Sequence, residues 1–294
     1  MKKSTIVKIF LTILFFIVIF AKVDFFDILQ IALSVNIFYI FSALILVPVL
    51  YFIRTVRWNM FLHSIGISIP ISRSFRILLI GNFYGLITPG KVGEVGRAYH
   101  LSEKKVLTVP TIIMEKIVDI CTLVILSFLT IAIYFQNNVF MQICIFLSGT
   151  AMIFGIFLLT NKKFLFSIMK VFGIGSEDCD QFAQNFRILL YDYPLVGKSF
   201  LLSLVYYGIN YLIGYFVILS AGFNPITSIT LPIIILIGNI PFTISGLGLR
   251  ESIGSLLFVY LGDTAADGFV FAFLLFILIT VIPGIFGYIL TMSE

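Results

Sequence analysis

The sequence predicts an all-helical integral membrane protein, and three observations carry that prediction: composition, long apolar runs and the distribution of charge. Of the 294 residues, 60% are hydrophobic and 11% are charged, and the mean hydropathy is +1.14. Soluble domains are roughly half apolar and a quarter charged. No stretch is polar enough to form a separate soluble domain, so we expect one membrane domain over residues 1–294.

Six apolar runs are long enough to cross a bilayer, which takes about 20 residues for ~30 Å of hydrocarbon. They are 5–21, 33–53, 117–135, 139–160, 199–220 and 268–291. The first run follows a basic start, as in a signal peptide, but it lacks a small-residue cleavage site, so we expect a retained helix. The polar residues 161–198 are expected to connect two halves, roughly 1–160 and 199–294.

The basic residues predict the orientation, because cytoplasmic loops carry the excess of Lys and Arg. Sixteen of the 19 fall on one predicted side: Lys2, Lys3, Lys8, Arg54, Arg57, Arg73, Arg76, Lys91, Arg97, Lys104, Lys105, Lys162, Lys163, Lys170, Arg187 and Lys198. We therefore expect a multi-pass protein of the cell membrane with both termini and the connector in the cytoplasm. Topology alone explains most of these positions, and that of Arg54 in particular.

Two further apolar runs, 77–88 and 229–244, are interrupted by Pro and Gly. A helix over 77–89 would rise only ~20 Å at 1.5 Å per residue. Both of its flanks are basic, so we expect a re-entrant hairpin that enters from the cytoplasm. The flanks of the second run lack basic residues, so we expect its hairpin to enter from the outside. Irregular backbone at such depth must be buried in protein or line a wet cavity.

The two interrupted runs share an order of residues. Each has a Gly-Asn pair, a short apolar stretch, two nearby glycines, and then an Arg and a Glu. These residues are Gly81-Asn82, Gly90, Gly93, Glu94 and Arg97 in the first run and Gly238-Asn239, Gly246, Gly248, Arg250 and Glu251 in the second. Such pairs in oppositely inserted halves are typical of an inverted repeat with a substrate site near the bilayer midplane. The alternative is two tight packing corners between helices.

The residues around both interruptions favour an anionic ligand. A helix that restarts after Pro89-Gly90 would point unpaired N–H groups into the protein, where they attract phosphate. Lys91 and Arg97 add positive charge, and Arg binds phosphate oxygens with two donors. In the second run we expect Ser245 as the helix N-cap, with Arg250 nearby. An anionic lipid headgroup, or a sugar carried on a polyprenyl phosphate, fits this chemistry.

Two acidic residues lie near the first interruption and have two interpretations. Glu115 and Asp119 are four apart and share a helix face. In the first, their negative charge complements the N-terminus of the third spanning helix, or they pair locally with Lys116. In the second, they form a charged layer that pairs with Arg57 or Arg97. A carboxylate at helix-centre depth is unfavourable by ~2.5–3.5 kcal/mol on insertion scales, so a deep Asp119 needs a partner.

Asn82 and Asn239 either bond exposed backbone or touch the ligand, and we expect the structural role. The candidate substrate-binding residues are Lys91, Glu94, Arg97, Arg250, Glu251, Arg57, Asn82, Asn239, Glu115 and Asp119. The cysteines, Cys121, Cys144 and Cys179, and the histidines, His63 and His100, have no metal-ligand spacing. We therefore expect no metal, no cofactor and no nucleic-acid partner.

Four stretches together carry a family resemblance: RTVRW (54–58), GNFYGLITPGKVGEVGRAYHL (81–101), MEKIVD (114–119) and SGLGLRES (245–252). With them the chain resembles, over essentially its whole length, the flippase-like transmembrane region of lysylphosphatidylglycerol synthases. The resemblance implies movement of a lipid between leaflets, with roles for Glu94, Arg97, Arg250 and Glu251. Two-domain members carry a soluble aminoacyl-transfer domain after the membrane region. Because this chain ends at Glu294, we expect a stand-alone member without synthase activity.

The function expected from the sequence is therefore transbilayer movement of an anionic lipid or a polyprenyl-phosphate-linked glycolipid. One alternative is a membrane-embedded lipid-modifying enzyme, but the sequence shows no clear nucleophile or acid–base pair. Another is an accessory subunit of a lipid or glycan synthase encoded elsewhere. A small-solute channel would require a continuous polar stripe, which most spans lack. A homo-oligomer is compatible with the sequence.

Overall fold

The structure is a computed structural model that describes residues 24–88, 91–101, 105–136, 176–240 and 242–293, with a few isolated residues between 139 and 161. These residues form helices joined by turns and loops. The helices are α1 Phe25–Ser34, α2 Ile37–Ser64, α3 Ile71–Ile87, a 3₁₀ helix Val92–His100, α4 Lys105–Tyr134, α5 Ser176–Tyr191, α6 Tyr193–Ala221, a 3₁₀ helix Pro225–Thr230, α7 Leu231–Gly238, α8 Leu249–Tyr260, α9 Ala265–Phe276, a π segment Ile277–Val281 and α10 Ile282–Thr291.

Four of the described helices are long and apolar enough to cross a membrane. They are Ile37–Ser64, Leu107–Tyr134, Tyr193–Ala221 and the composite Ala265–Thr291. They confirm four of the predicted spans, at 33–53, 117–135, 199–220 and 268–291. The predicted span at 5–21 lies outside the described residues, and most of 139–160 does too.

Two of these helices have bounds that differ from the prediction, and the difference moves charged residues into the spans. α2 continues to Ser64, so Arg54 and Arg57 lie on the helix rather than in a cytoplasmic loop. α4 begins at Lys105, so Glu115 and Asp119 lie in its interior rather than in its first turn. The sequence prediction places helix ends near these charges, whereas the side chains are buried inside the protein.

The chain divides into two compact units that alternate along the sequence. Unit 1 comprises Met1–Tyr51, Arg76–Glu94 and Tyr207–Glu294, and unit 2 comprises Phe52–Phe75 and Val95–Tyr206. Helices α2 and α6 therefore each contribute residues to both units.

In unit 1, a proline follows the helix that precedes each of the two interrupted stretches. α3 ends just before Pro89 and α7 ends just before Pro241. Proline lacks the N–H of a helical hydrogen bond and disfavours helical backbone at the preceding residue. We call residues 88–91 the first break and residues 239–248 the second break. The Gly81-Asn82 pair lies inside α3 whereas Gly238-Asn239 ends α7, so the two pairs are not at equivalent positions, contrary to the predicted order.

A third proline, Pro283, disturbs the last span. Without an N–H on Pro283, the carbonyl of Ile279 lacks its usual helical donor. The Tyr51 hydroxyl donates to that carbonyl at 2.8 Å, and the Asn82 amide donates to the carbonyl of Thr280 at 3.0 Å. Both carbonyls belong to the π segment. Asn82 therefore has a structural role, as expected, and it stabilises irregular backbone in the last span.

Small residues let the helices of unit 1 approach closely. A Cβ atom on Gly254 of α8 would crowd the carbonyl of Gly268 on α9, and one on Gly287 of α10 would overlap the carbonyl of Leu79 on α3. Without a hydrophobic driving force in lipid, helix association depends on such close packing. Part of the glycine content is thus explained by packing rather than by a ligand.

Two segments that the predicted orientation places on the outer side, around 24–27 and 264–267, line one cavity of about 520 Å³ in unit 1. Asp24 and Asp27 lie at the start of α1, and Thr264 and Asp267 at the start of α9. Two loops that the charge pattern places on the same side of the membrane are therefore neighbours. Nearby, partial burial and, to a smaller extent, the charge of Asp267 raise the pKa of Asp263 above its ordinary value.

In unit 2, α5 occupies part of the region 161–198 that was predicted to be a polar connector. Its buried residues include Cys179, Phe182 and Phe186, which recur at helical spacing and pack with Val109 and Ile113 of α4. The connector is polar on average, so the prediction missed that part of it forms an amphipathic helix with one apolar stripe.

Candidate functional site

Four candidate residues, Arg57, Arg97, Glu115 and Asp119, meet in unit 2, together with Arg54. We call these five residues the arginine cluster. The two α2 arginines are three apart and the two α4 acids are four apart, so each pair presents both side chains on one helix face. Their contacts confirm the interpretation of the acids as a charged layer that pairs with arginines.

Glu115 is the centre of the arginine cluster, because its carboxylate contacts all three arginines. Its Oε1 accepts hydrogen bonds from Arg54 Nε at 2.8 Å and Arg57 Nη2 at 3.2 Å. Its Oε2 accepts from Arg97 Nη2. The side chain of Glu115 is 0% exposed. A carboxylate buried to that degree requires charged or hydrogen-bonding partners, and the three guanidinium groups supply them.

Asp119 belongs to a smaller group with Arg57 and Ser203. Arg57 Nη1 donates to Asp119 Oδ1 at 2.6 Å and to Ser203 Oγ at 2.8 Å, and Ser203 Oγ donates to Asp119 Oδ1 at 3.1 Å. Ser203 lies on α6, so this group joins α2, α4 and α6. The Asp119 side chain is 12% exposed, which makes it the more accessible of the two cluster carboxylates.

Arg97 is held by an aromatic ring as well as by its carboxylate. Its Cζ atom lies 4.3 Å from the ring centroid of Trp58, the single tryptophan of the chain. The Trp58 Nε1–H donates to Thr111 Oγ1 at 3.0 Å, which fixes the ring. A guanidinium over a tryptophan face gains about 0.5–2 kcal/mol. Trp58 and Thr111 therefore position Arg97 from both neighbouring helices.

A helix restarts after the first break, as predicted, and it is a 3₁₀ helix. Gly93 and Gly96 each disfavour an α-helix by ~1 kcal/mol relative to alanine. The N–H of Gly93 donates to Thr88 Oγ1 at 2.8 Å, so a side chain caps the restarted chain. Lys91 adopts a left-handed backbone with φ of 56°.

Glu94 lies buried beside α3 within unit 1. A Cβ atom on Gly85 would lie only 2.8 Å from Glu94 Cγ, so the glycine provides the space for this side chain. Of the two charged residues of the motif, Glu94 belongs to unit 1 and Arg97 to unit 2.

The second break holds Arg250 by different means. Its Nη2 donates to the carbonyl of Ser245, and its Cζ atom lies 5.0 Å from the ring centroid of Phe276. A Cβ atom on Gly238 would overlap the Arg250 side chain, and one on Gly246 would lie 2.9 Å from Arg250 Nε. The two glycines therefore make room for the arginine beside the irregular backbone.

The N-cap of α8 is Gly248 and not Ser245, contrary to the prediction. Gly248 has φ of 80°, and its N–H donates to Glu251 Oε2 at 2.7 Å, so Glu251 caps its own helix. Ser245 lies earlier in the break, with φ of 52°, and its Oγ makes no hydrogen bond to any described residue. The three left-handed residues of this break delay the start of the helix.

Asn239 serves the backbone at the end of α7. Its N–H donates to the carbonyls of Ile235 at 3.1 Å and Leu236 at 3.2 Å, in the geometry of a helix end. Because the backbone of Asn239 makes this contact, the structural role expected of its side chain stays a prediction.

Several cluster residues were not among the candidates. Arg54 was assigned to topology, yet it is buried and bonds Glu115. Trp58, Thr111 and Ser203 were not identified either. The position of Trp58 next to Arg57 was a usable signal, whereas Ser203 belongs to a distant span and nothing local distinguishes it.

Within the described residues, no three His, Cys, Asp or Glu side chains are grouped as a metal would require. Cys121 and Cys179 form no disulfide with a described residue, and Cys144 lies outside the described residues.

Comparison with known proteins places the chain in a family. The model of the lysylphosphatidylglycerol synthase transmembrane region matches residues 5–287. The UPF0104 membrane protein MJ1595 of Methanocaldococcus jannaschii is 30% identical over 196 residues, which cover 63% of this chain and 57% of that relative's length. The match over nearly the whole chain confirms the resemblance, and the protein belongs to the lysylphosphatidylglycerol synthase transmembrane-region family, a membrane region of lipid-related proteins.

Proposed function

We propose that this protein moves an anionic lipid between the leaflets of the cell membrane and that the arginine cluster binds the lipid headgroup. The observation that carries the proposal is the burial of three arginines and two acids together in unit 2. Ionisable residues inside a membrane protein are energetically unfavourable, and they mark the path of a substrate or an ion by default.

The composition of the cluster suits a phosphate group. Its five side chains have formal charges of +3 and −2, so a phosphodiester would balance them. Guanidinium groups bind carboxylates and phosphates with the same planar pair of donors. A headgroup phosphate can therefore replace a carboxylate on an arginine without a change in donor geometry.

Asp119 is the carboxylate that we expect to yield to the headgroup. It contacts one arginine, whereas Glu115 contacts three, and it is the more exposed of the two. When phosphate occupies Arg57, the Ser203 hydroxyl can still bond the displaced Asp119. Glu115 then keeps the three arginines together while the headgroup passes.

The proposal extends to the arrangement in the membrane. It includes six spans, two oppositely inserted hairpins that form an inverted repeat, and cytoplasmic termini. The orientation is tested in a variant that lacks Cys121, Cys144 and Cys179. A single cysteine is introduced in this background by Ser102→Cys or by Asp263→Cys. Impermeant thiol reagents should label Ser102→Cys from the cytoplasm and Asp263→Cys from the outside, and the opposite result would overturn the orientation.

Lipid movement is tested in vesicles that contain the purified protein and a fluorescent phosphatidylglycerol in both leaflets. An impermeant reductant quenches only the outer leaflet unless lipid crosses. We expect nearly complete quenching with the wild-type protein and about half in protein-free vesicles, because half of the label starts inside. A polyprenyl-phosphate label and a zwitterionic phosphatidylcholine label identify the preferred headgroup.

Arg57→Gln and Arg73→Gln form the matched pair of variants for this assay. Both remove one guanidinium, but Arg57 is buried in the cluster and Arg73 is exposed. We expect slow crossing for Arg57→Gln and unchanged crossing for Arg73→Gln. Wild-type protein that leaves the inner leaflet protected for all three labels would contradict the proposal, and chemical conversion of the labelled lipid would support an enzyme instead.

A further inference from the structure

Glu251, at the start of α8, is a buried acid that the proposed headgroup site does not use. Its exposure is 0%, and its Oε2 accepts the N–H of Gly248 at 2.7 Å. Its Oε1 has no hydrogen-bond partner among the described residues. Glu115 differs, because arginines contact both of its oxygens. An ionised carboxylate with one bare, buried oxygen is unfavourable, whereas a protonated carboxyl group carries no net charge.

Hydroxyl groups with unused hydrogen-bonding capacity occur in the same part of unit 1. The Oγ atoms of Ser245 and Ser255 and the Oγ1 atom of Thr243 are buried and have no partner among the described residues. Ser255 is four residues after Glu251, so both side chains project from one face of α8. Hydroxyl oxygens can accept a hydrogen bond from a protonated carboxyl group and donate one to an ionised carboxylate.

The scarcity of ionisable side chains around Glu251 favours a proton over a metal cation. The helices packed against α8 are α9, α7 and the 3₁₀ helix Pro225–Thr230. Their one titratable side chain is Asp267, which bonds Thr264 at the start of α9. On α8 itself the charged neighbour is Arg250. Its positive charge opposes any added cation, H⁺ or Na⁺ alike. No group of three acidic, His or Cys side chains among the described residues offers a metal the further ligands it needs, whereas a proton needs one oxygen.

From this geometry we propose that Glu251 is a proton-binding site, which takes a proton from water as its carboxylate becomes a neutral carboxyl group and returns it to water on the reverse step. Irregular backbone between two short helices is where transporters bind coupling ions. The coupling of this proton to lipid movement rests on the proposed function. The existence of the proton site does not.

Glu251→Gln is a conservative probe of this site. Glutamine retains a side-chain oxygen that can accept the N–H of Gly248, so the cap of α8 is kept while the titratable group is lost. Asp267→Asn is the matched control. It makes the same chemical change at a second helix cap, where the acid accepts the N–H of Thr264 at 3.0 Å.

Infrared difference spectroscopy of the full-length protein in detergent, recorded across a pH titration, detects the proton directly. We expect wild-type protein to show the carbonyl band of a protonated carboxyl group at neutral pH. The band should be lost in Glu251→Gln and retained in Asp267→Asn. A wild-type spectrum without the band, or a band that persists in Glu251→Gln, would overturn the proton site.

Vesicles with a pH gradient test the coupling. The rate of phosphatidylglycerol crossing should change with the direction of the gradient in wild-type protein and in Asp267→Asn, and this response should be lost in Glu251→Gln. Crossing that ignores the gradient, or that follows a Na⁺ gradient instead, would overturn proton coupling and leave the proposed function intact. If no lipid crosses, the proposed function fails, and the infrared band still decides the proton site.

Discussion

The arginine cluster and the second break contain the same residue types but use them differently. In the cluster, arginines bond carboxylates from another helix, and Glu115 lies 18 positions from Arg97 along the chain. In the second break, Arg250 bonds a backbone carbonyl of its own loop, and Glu251 caps its own helix. One arrangement depends on tertiary structure and the other is local.

This difference shows that a repeated motif does not fix the partners of its charges. Arg250 and Glu251 are adjacent, so they leave α8 in different directions and cannot easily pair. Glu251 occupies the third position of its helix, where a glutamate reaches back to the cap. Arg97 instead faces α4, which offers carboxylates in its interior. The comparison therefore supports the proposed headgroup binding at the cluster, whereas the described contact of Arg250 is with backbone.

The largest expected effect is that of Glu115→Gln on stability. Removal of this charge leaves three buried arginines with one carboxylate, and loss of one partner from a buried ion pair is typically destabilising by ~3–5 kcal/mol. Thermal unfolding in detergent measures the change. Asp119→Asn is the matched control and should destabilise less, because Asp119 contacts one arginine. An equal or larger effect of Asp119→Asn would show that Glu115 is not the centre of the cluster.

Gly238→Ala should have an intermediate effect, and it acts on the second break. The added methyl group overlaps the Arg250 side chain, and such overpacking is destabilising by ~1–3 kcal/mol. Gly208→Ala on α6 is the control, since a Cβ atom there meets nothing within 4 Å. Alanine in that helix should be neutral or stabilising by roughly 0.5–1 kcal/mol. If the two variants unfold at the same temperature, Arg250 does not depend on the space at Gly238.

Tyr51→Phe should have the smallest effect, about 1 kcal/mol, because one hydrogen bond to the Ile279 carbonyl is lost. The effect of Tyr51→Phe should depend on Pro283, because this proline leaves the Ile279 carbonyl without a helical donor. In a Pro283→Ala background the backbone N–H can return, and Tyr51→Phe should then have little effect. A double-mutant cycle on unfolding measures this coupling, and additive effects would contradict it.

The sequence predicted the architecture better than the details of the site. Run lengths located the four spans that the structure describes, because about 20 apolar residues are needed to cross a bilayer. The prolines located both breaks. The ends of α2 and α4 were misplaced, since Arg54 and Glu115 resemble loop charges until their mutual contact is known.

The site was predicted in part, and the limit is physical. Glu115 and Asp119 could be assigned to one face from their spacing, and Arg57 and Arg97 were named as their partners. Ser203 could not be found, because its role exists only when α6 packs on α2 and α4. The N-cap at Ser245 was wrong because left-handed backbone at Gly246 and Gly248 postpones the helix.

The most direct test of the central claim compares binding of short-chain phosphatidylglycerol to purified Arg57→Lys and Arg250→Lys. Each variant keeps its positive charge but loses the planar pair of donors that fits a phosphate. The account predicts that Arg57→Lys weakens binding roughly tenfold, about 1.4 kcal/mol, and that Arg250→Lys changes it less than about twofold. Binding that is weakened equally by both variants, or only by Arg250→Lys, would contradict the assignment of the headgroup to the arginine cluster.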